Sequence, residues 1–482
     1  MALTPREAIE EVRSGSNTKR IKEDKLRFNV FQGQLRDEII GFLRSEFLKP
    51  ETIEAMSHRV VPINIVQKII NKLAMVYREA PIRMPVDGNE NDQMMIDLYT
   101  NSFNLNEKMK WANRYFKLQK NTALEPFLDR NGVPRLRALP SQSFTPVSDD
   151  PIQPDRPTGI VKHVRSDASL DAKKMRFHYW TDENFWILDG EGNVVGGEMV
   201  SIDNPEGVNP FGKIPFVYIP ESDDGNLIPI SDDDLISMQF VICALLSDLT
   251  FASKYQAWSI YTITGANEDQ NIGLNPNSVV SLPEGASLDV VKAQIDIESM
   301  LSQVEAQVGM LLTTKNLSVG DITGQVSASN AASGVAKMID RSETTEDRMD
   351  QEAFFINGEK ELWDLWAHHM LPVYVASGRM NPEYQGQFTN EFELSIEFAD
   401  QKPVVSDKEL IELEIMKLDN GLTTKKRALQ NLLKDKSEEE IDMLIEEIEE
   451  VKKSNVQSFM GGLVNRSSEE QEASNQEDES ED

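Results

Sequence analysis

The sequence predicts a helix-rich α+β protein with several domains, and three observations lead to this fold class. Apolar residues recur every three or four positions over residues 31–123, which predicts amphipathic helices. Residues 123–220 change to aromatic-rich runs bounded by turn signals, which predicts strands. From residue 329 a helical pattern continues for roughly forty residues, several times the usual helix length. The 482 residues are enough for several sizeable cores.

The first part of the chain is predicted to be mainly helical after a polar start. Residues 1–30 are polar with mixed charges, and we predict an N-terminal arm there. Two apolar helix faces follow, one through Ile39, Ile40, Leu43 and Phe47 and the next through Ile65, Ile69 and Leu73.

Turn sequences separate the strands that we predict between residues 123 and 220. Asp129–Gly132 and Asp189–Gly192 have the composition of tight turns. Phe177–Trp180 and Asn184–Leu188 are rich in aromatic residues, which favour strands. A later alternating run, Glu393–Phe398, predicts one more strand.

Residues 231–315 have the order helix, strands, helix. Ser231 supplies an N-cap and Asp232–Asp234 the first-turn acids of a helix that continues to about Gln256. Trp258–Thr264 and Ser278–Leu282 are predicted strands with a polar turn between them. The second helix has an apolar face formed by Ile297, Leu301, Val304, Val308 and Leu311.

A polar loop, residues 316–328, separates this second helix from the long helical run. Gly320, Gly324 and many small polar residues break the apolar pattern there. Helices are predicted again up to Ser454. After Arg466 the chain has eight acidic residues and no basic one, so we predict a disordered acidic tail.

The net charge of −32 argues against a conventional nucleic-acid-binding protein, because tight DNA binders place Lys and Arg on phosphates. An acidic surface would instead repel a nucleic acid, because both carry negative charge. The alternative is that the acidity only makes the particle soluble, and composition does not separate the two.

The cysteine and hydropathy patterns indicate a reducing compartment without export. The single cysteine, Cys243, cannot form an intrachain disulfide, and we interpret it as a buried structural thiol. Its apolar run, Phe240–Leu246, is far shorter than the ~20 residues needed to span a bilayer. The N-terminus lacks a basic-then-apolar signal, so we expect no membrane and no secretion.

Three groups of residues resemble catalytic or ligand-binding motifs, and each has a simpler explanation. Gly207–Ile214 matches a phosphate-binding loop except that Ile214 replaces the Ser or Thr that would ligate magnesium. His368 and His369 face about 100° apart on a helix, so they cannot easily share a metal, and we interpret them as a satisfied pair at a packing or subunit boundary. Asp232–Asp234 are interpreted as helix-capping acids rather than a cation site. We predict no catalysis, cofactor or metal.

Four motifs, in the same order along the chain, resemble those of portal proteins of tailed double-stranded-DNA phages. The most characteristic is Asn330–Met338, which includes Ser333 and Gly334 and resembles the segment after the portal tunnel loop. The other three are Asn64–Ala74 with Pro81 after it, Asn209–Val217 with Asn209, Gly212 and Pro215, and Gly421–Thr424. The resemblance covers roughly residues 30–455.

This resemblance implies a portal fold with wing, stem, clip and crown regions. After the N-terminal arm at 1–30, the implied regions are the wing at 31–230 and 329–402, stem helices at 231–256 and 296–315, the clip at 257–295, the tunnel loop at 316–328, the crown at 403–455 and the acidic tail at 456–482.

The resemblance also implies a ring of about twelve copies joined by head-to-tail contacts. The ring would lie at one capsid vertex of the virion after assembly in the host cytoplasm, with double-stranded DNA packaged and ejected through it. Expected partners are the large terminase, the major capsid and scaffold proteins, and head-completion or adaptor proteins.

Two sets of residues carry the implied channel role. Leu301, Val304 and Val308 would pack the stem, while the loop would enter the channel and Lys315 and Lys337 could touch phosphates in passing. The alternatives are that the loop is only a connector, or that the chain is a capsid-associated scaffold or adaptor without a DNA channel. A nucleotide-dependent enzyme is a weaker alternative. The loop set is Lys315, Asn316, Ser318, Val319, Gly320, Asp321, Thr323, Gly324 and Gln325.

Overall fold

The computed structural model describes most of the chain between residues 2 and 445. The described residues are 2–46, 54, 57–165, 175–195, 207–221, 225–232, 234–257, 260–264, 287–291, 296–317, 334–398, 411, 414–418, 423–433 and 440–445. They form two compact units. The first consists of Met1–Asn330 with Asp340–Ala399, and the second of Ala331–Ile339 with Asp400–Asp482. Helix makes up 54% and strand 16% of the structure, which confirms the helix-rich α+β class.

The N-terminal segment, predicted as an arm at residues 1–30, is helical and packs on the rest of its unit. Helices α1 (Pro5–Val12) and α2 (Gly15–Phe31) follow each other directly. Thr4 and Glu7 form a reciprocal capping box that starts α1. Ile9 of α1 is buried against the strands of a sheet formed much later in the chain. Polar composition concealed this contact because only one narrow face of the segment is apolar.

Helices α3 (Arg36–Glu46) and α4 (Ile65–Leu73) lie where apolar spacing predicted them. The carboxamide oxygen of Asn64 caps α4 by accepting a hydrogen bond from the Gln67 backbone N–H. Strand β1 (Ile82–Pro85) and helices α5 (Glu90–Phe103) and α6 (Leu105–Gln119) follow.

The β-rich segment forms two antiparallel sheets. Its strands are β2 (Asn121–Leu128), β3 (Pro134–Pro140), β4 (Phe144–Val147), β5 (Gly159–Arg165), β6 (Met175–Thr181), β7 (Phe185–Leu188) and β8 (Val217–Pro220). One sheet has the order β3-β2-β8 and the other β4-β5-β6-β7. The predicted turn at Asp129–Gly132 joins β2 to β3, and Gly132 has φ +74°, a conformation that favours glycine.

A helix, a hairpin and a second helix come next, as the sequence predicted. They are α7 (Asp234–Ala257), β9 (Ile260–Thr264), β10 (Ser287–Val291) and α8 (Ile297–Thr314). Strands β9 and β10 pair antiparallel. The strand predicted at Ser278–Leu282 lies outside the described residues, and the strand that pairs with β9 is five residues or more farther along.

The long helical run consists of α9 (Gly334–Asp364), a π-helical stretch (Leu365–Met370) and α10 (Leu371–Ala376). Pro372 explains the interruption, because proline has no N–H to donate and its ring clashes with the carbonyl four residues earlier. Strand β11 (Leu394–Glu397) pairs antiparallel with β1. Helix α11 (Lys425–Leu432) belongs to the second unit.

Two large apolar clusters hold the first unit together. One surrounds Trp363 and Trp366, both fully buried, with Tyr99 and Phe103 against them. The other joins α2, α3 and α4 to parts of α7 and α8. The second cluster therefore fixes the position of the helix–hairpin–helix segment on the rest of the unit.

Candidate functional site

Helices α7 and α8 form an antiparallel pair that is buried at one end and exposed at the other. Their 24 and 18 residues correspond to lengths of about 36 and 27 Å at 1.5 Å per residue. Near the ends where the pair meets the rest of the unit, Ile242 and Leu312 are fully buried. Toward the β9-β10 hairpin, Leu301 is 45% exposed. The pair is thus a projection anchored at its base.

The predicted stem-packing residues divide between the two environments. Val304 is buried, with 7% of its surface exposed, and Val308 is half-buried against the same apolar cluster. Leu301, one turn nearer the hairpin, is 45% exposed in the single chain. The apolar face predicted for α8 therefore contacts the chain's own core only along its second half.

Helix α7 is longer and more apolar than its central run suggested. Residues Asp234–Ser253 form a 20-residue stretch of mean hydropathy 1.8, enough by length and composition to cross a membrane. The apolar run identified in the sequence, the seven residues Phe240–Leu246, was therefore shorter than the apolar stretch of the helix. Core helices of soluble proteins pass the same test, and 44% of this stretch is buried within the chain.

Ion pairs join the bases of the two helices to neighbouring elements of the same unit. The Lys315 ammonium lies 3.1 Å from an Asp232 carboxylate oxygen and 3.0 Å from one of Asp234. Lys120, at the end of α6, contacts Asp232 and Glu221. Burial raises the pKa of Asp232, but Lys120 and Lys315 outweigh it and hold this pKa below its ordinary value.

A cavity of about 210 Å³ lies at this junction. Its polar lining includes Lys117, Lys120 and Lys315 together with Asp232 and Asp347. Lys117 contacts Asp347 at 2.8 Å, which brings the long helix α9 into the same set of ion pairs. Each of the three lysines pairs with at least one carboxylate, so the cavity has the character of a structural junction.

Asn316 ends α8 in a Schellman motif. Asn316 has φ +55°, a left-handed conformation that asparagine tolerates better than most residues. Its N–H donates to the Thr313 carbonyl, and the N–H of Leu317 donates to that of Leu312. Leu317 is 7% exposed and packs in the core. The segment that follows therefore leaves from a fixed point.

The remaining residues of the predicted loop lie outside the described part of the chain. These are Ser318, Val319, Gly320, Asp321, Thr323, Gly324 and Gln325, together with Ser333 of the family motif. Gly334 is the first residue of α9, and the side chain of Lys337 is not among those described. The side chain of Lys315, predicted as a passing phosphate contact, is 15% exposed and held by Asp232 and Asp234.

The motif around Asn209 forms a turn that leads into β8. The buried Asn209 side chain donates to the carbonyls of Thr181 and Lys213 and accepts from the Phe211 N–H. Gly212 has φ +65°. Pro215 then precedes the strand, and Lys213 pairs with Asp364 at 2.9 Å. A strand follows the motif where a phosphate-binding loop requires a helix.

The other candidate groups have structural partners. His368 and His369 lie in the π-helical stretch, and a ring nitrogen of each contacts a backbone carbonyl, of Phe392 and Phe211 respectively. Burial raises the pKa of the Cys243 thiol, as expected of a structural cysteine. Within the described ranges, no cluster of three His, Cys, Asp or Glu side chains could hold a metal ion.

Sequence reasoning missed several residues that build the site. Gln239 of α7 accepts hydrogen bonds from the N–H groups of Ile65 and Val66, so it caps α4 from another helix. Lys117, Lys120 and Asp347 likewise pair with residues that are distant in the sequence. No local pattern marks such residues, because their partners are more than a hundred positions away.

Comparison with known proteins gives one family and several distant folds. The model of the family described as phage portal protein, SPP1 Gp6-like, matches residues 22–454. No curated protein matches the sequence. A chain in the neck of an empty GTA particle, computed with C6 symmetry, is 13% identical, with a TM-score of 0.38 and coverage of 80% of this chain and 94% of that one. A chain in the virion of a native gene transfer agent particle is also 13% identical, with a TM-score of 0.41 and coverage of 78% and 92%.

Proposed function

The chain belongs to the SPP1 Gp6-like family of phage portal proteins, and from this premise we propose that it forms the ring-shaped channel through which double-stranded DNA is packaged and ejected. Membership confirms the resemblance predicted from four motifs. The family is structural and non-enzymatic, in agreement with the predicted absence of catalysis.

The projecting pair of helices is the observation that carries this proposal. Helix α7 has the composition of a buried helix, yet its side chains Val241, Leu245 and Leu249 are only half-buried within the single chain. On the adjoining helix α8, Leu301 is 45% exposed. Apolar surface of this extent is unfavourable in water. Equivalent helices of neighbouring copies would cover it if the projections stand side by side around an axis, as stem helices of a ring do.

The loop after α8 is proposed as the part that contacts the passing DNA. Residues 316–328 begin at the Schellman motif and the buried Leu317. Gly320 and Gly324 give the segment backbone freedom to adjust to a helical duplex whose symmetry differs from that of the ring. An anchored base with a glycine-containing polar tip suits a sliding contact rather than a tight one.

The remaining regions receive the proposed portal roles. The β9-β10 hairpin lies in the proposed clip, which would dock the large terminase and the head-completion proteins. The wing and the crown would face the capsid and scaffold proteins at one vertex of the virion. Assembly in the host cytoplasm is part of the same proposal.

Electron microscopy of the purified full-length protein, with its mass in solution measured alongside, tests the proposal. We expect rings of about twelve copies with a central hole of roughly 20 Å or more, wide enough for a duplex. A compact oligomer without a hole would contradict the channel and support the alternative, a capsid-associated scaffold or adaptor. If the purified chain stays monomeric, the same measurement is made on rings released from particles.

A further inference from the structure

Helices α2 and α6 lie side by side and antiparallel, with aromatic rings along their line of contact. The rings of Phe28 and Tyr115 are 6.0 Å apart, and those of Phe31 and Trp111 are 6.4 Å apart. At the other end of the contact the Gln119 side-chain amide donates to the Asp24 carbonyl. Residue numbers along the contact therefore rise in α2 while they fall in α6, as expected of an antiparallel pair.

This pair of helices is basic in a chain that is strongly acidic overall. Helix α2 has five basic and two acidic residues, and α6 has four basic and one acidic. The whole chain has 49 basic and 81 acidic residues. The excess of positive charge on these two helices therefore contrasts with the negative net charge of the whole chain.

Part of this charge serves the chain's own structure. Arg20 and Arg27 are largely buried and contact Asp24, and Lys117 lies in the junction described above. Lys25 and Lys110 are exposed. Neighbouring acids are few: Glu23 contacts Lys19, Glu107 contacts Asn104, and Glu38 contacts Asn29.

We name the outward line of these side chains the basic seam. The Arg114 guanidinium lies 4.7 Å from the centre of the Trp111 ring, a cation–π contact that holds both groups in place. Arginine, tryptophan and tyrosine are the residues most enriched at energetically important positions of protein interfaces. The basic seam consists of Lys25, Phe28, Lys110, Trp111, Arg114 and Tyr115.

We propose that the basic seam binds an acidic surface of the neighbouring copy of this chain in the ring. The proposal rests on the ring of the proposed function. Copies that each have a net charge of −32 repel one another, and a positive surface facing an acidic one replaces repulsion by attraction at the contact. A head-to-tail ring requires two different surfaces on each copy, and the basic seam supplies one of them.

A DNA duplex fits the seam less well than an acidic protein surface. Duplex binding depends on the number of phosphates that Lys and Arg neutralise, and the seam offers three cations. Its aromatic rings have no bases to stack on in an intact duplex. An interface with protein uses the rings and the charges together.

Charge reversal in the seam tests the proposal. We compare Lys110→Glu/Arg114→Glu with Arg130→Glu/Lys360→Glu, an equal change of charge at exposed positions away from the seam. At 150 mM NaCl we expect the subunit concentration at which half of the rings dissociate to rise about tenfold or more for the seam variant only. Circular dichroism and the Tm verify that both variants fold. Rings as stable as those of the wild type would overturn the proposal.

Cross-linking in assembled particles gives a second, independent readout. A photoreactive amino acid replaces Lys25, and the product is identified by mass spectrometry. A dimer of this chain joined at an acidic peptide supports the proposal, and a nuclease-sensitive product or a different protein overturns it. Rings that depend on the seam but lack a hole for DNA would contradict the proposed function alone, so the two failures are distinguishable.

Discussion

Lys315 illustrates how a single residue sets the geometry of the segment that joins α7 and α8. Its ammonium group contacts Asp232 and Asp234 at the start of α7, although Lys315 itself ends α8. Both helices of the projection are therefore tied at their common base. The consequence is that the proposed tunnel loop starts from a point that is fixed relative to the start of α7.

A buried carboxylate stabilises the contact between α9 and the β1 region. Glu359 accepts hydrogen bonds from Arg83 Nε at 2.6 Å and Tyr77 Oη at 2.7 Å, and all three side chains are buried. We expect Glu359→Gln to lower the free energy of unfolding by about 3–5 kcal/mol, because the Arg83 charge remains buried without its counter-charge. Denaturant titration measures this. The exposed neighbour Lys360 provides the control, since Lys360→Ala should change the free energy of unfolding by less than about 0.5 kcal/mol.

Two histidines of the four-stranded sheet predict a loss of stability in mild acid. Burial, with Arg20 nearby, lowers the pKa of His163 to about 4, and burial, with Lys162 nearby, lowers that of His178 to about 4. The unfolded chain binds these protons near pH 6.5. The stability contributed by the neutral rings is therefore complete above pH 6.5 and is lost as the pH falls toward 4.

The Tm measured between pH 7 and 5 tests this expectation. We expect it to decrease in the wild type and to decrease less in His163→Gln/His178→Gln, which has no group to protonate there. Equal slopes for the two proteins would show that other groups control the acid sensitivity.

At the scale of elements, we expect the end of α8 near the hairpin to contribute to ring assembly and its other end to contribute to folding. Leu301 is 45% exposed and Val304 is 7% exposed. We expect Leu301→Asp to prevent ring formation while the chain stays folded, and Val304→Asp to destabilise the chain itself by placing a carboxylate in its core. Solution mass and the Tm separate the two effects. Gln303→Asp, at an exposed polar position of the same helix, is the control and should form rings.

The loop between α8 and α9 gives a prediction about DNA handling. Deleting Ser318–Gln325 starts after the anchored Leu317, so we expect the ring to assemble but packaging or retention of DNA to be impaired. Packaged DNA per particle is the measurement. A same-length replacement by Gly and Ser shows whether the side chains or only the length matter. Normal packaging by the deletion variant would leave the loop as a simple connector.

At the scale of the whole molecule, the acidity has at least two components. The last sixteen residues contain eight acids and no base. Because such a segment has too little apolar surface to pack, we expect truncation after Arg466 to leave ring assembly and packaging unchanged. Particle yield and DNA content measure this. Loss of packaging after truncation would mean that the tail's charge has a role of its own.

An acidic lumen and simple solubility remain the two explanations for the rest of the charge. The basic seam adds a third element to the charge distribution, because it concentrates positive charge on two helices of an acidic chain. Charge at the scale of the molecule is therefore patterned and not uniform. In a ring such a pattern would be repeated once in every copy.

Local sequence alone determined the helices and strands with strong periodicity, among them α4, α8 and β11, and it carried the family motifs. It also argued against a phosphate-binding loop at Gly207–Ile214, since Ile214 replaces the Ser or Thr that would ligate magnesium. Only the tertiary structure decided that residues 1–30 pack, that Leu301 is exposed while Val304 is buried, and that Lys315 is held by Asp232 and Asp234. The physical reason is the distance along the sequence between interacting residues. Periodicity and capping depend on residues within a turn or two, whereas burial and ion pairing depend on partners that only the fold brings together.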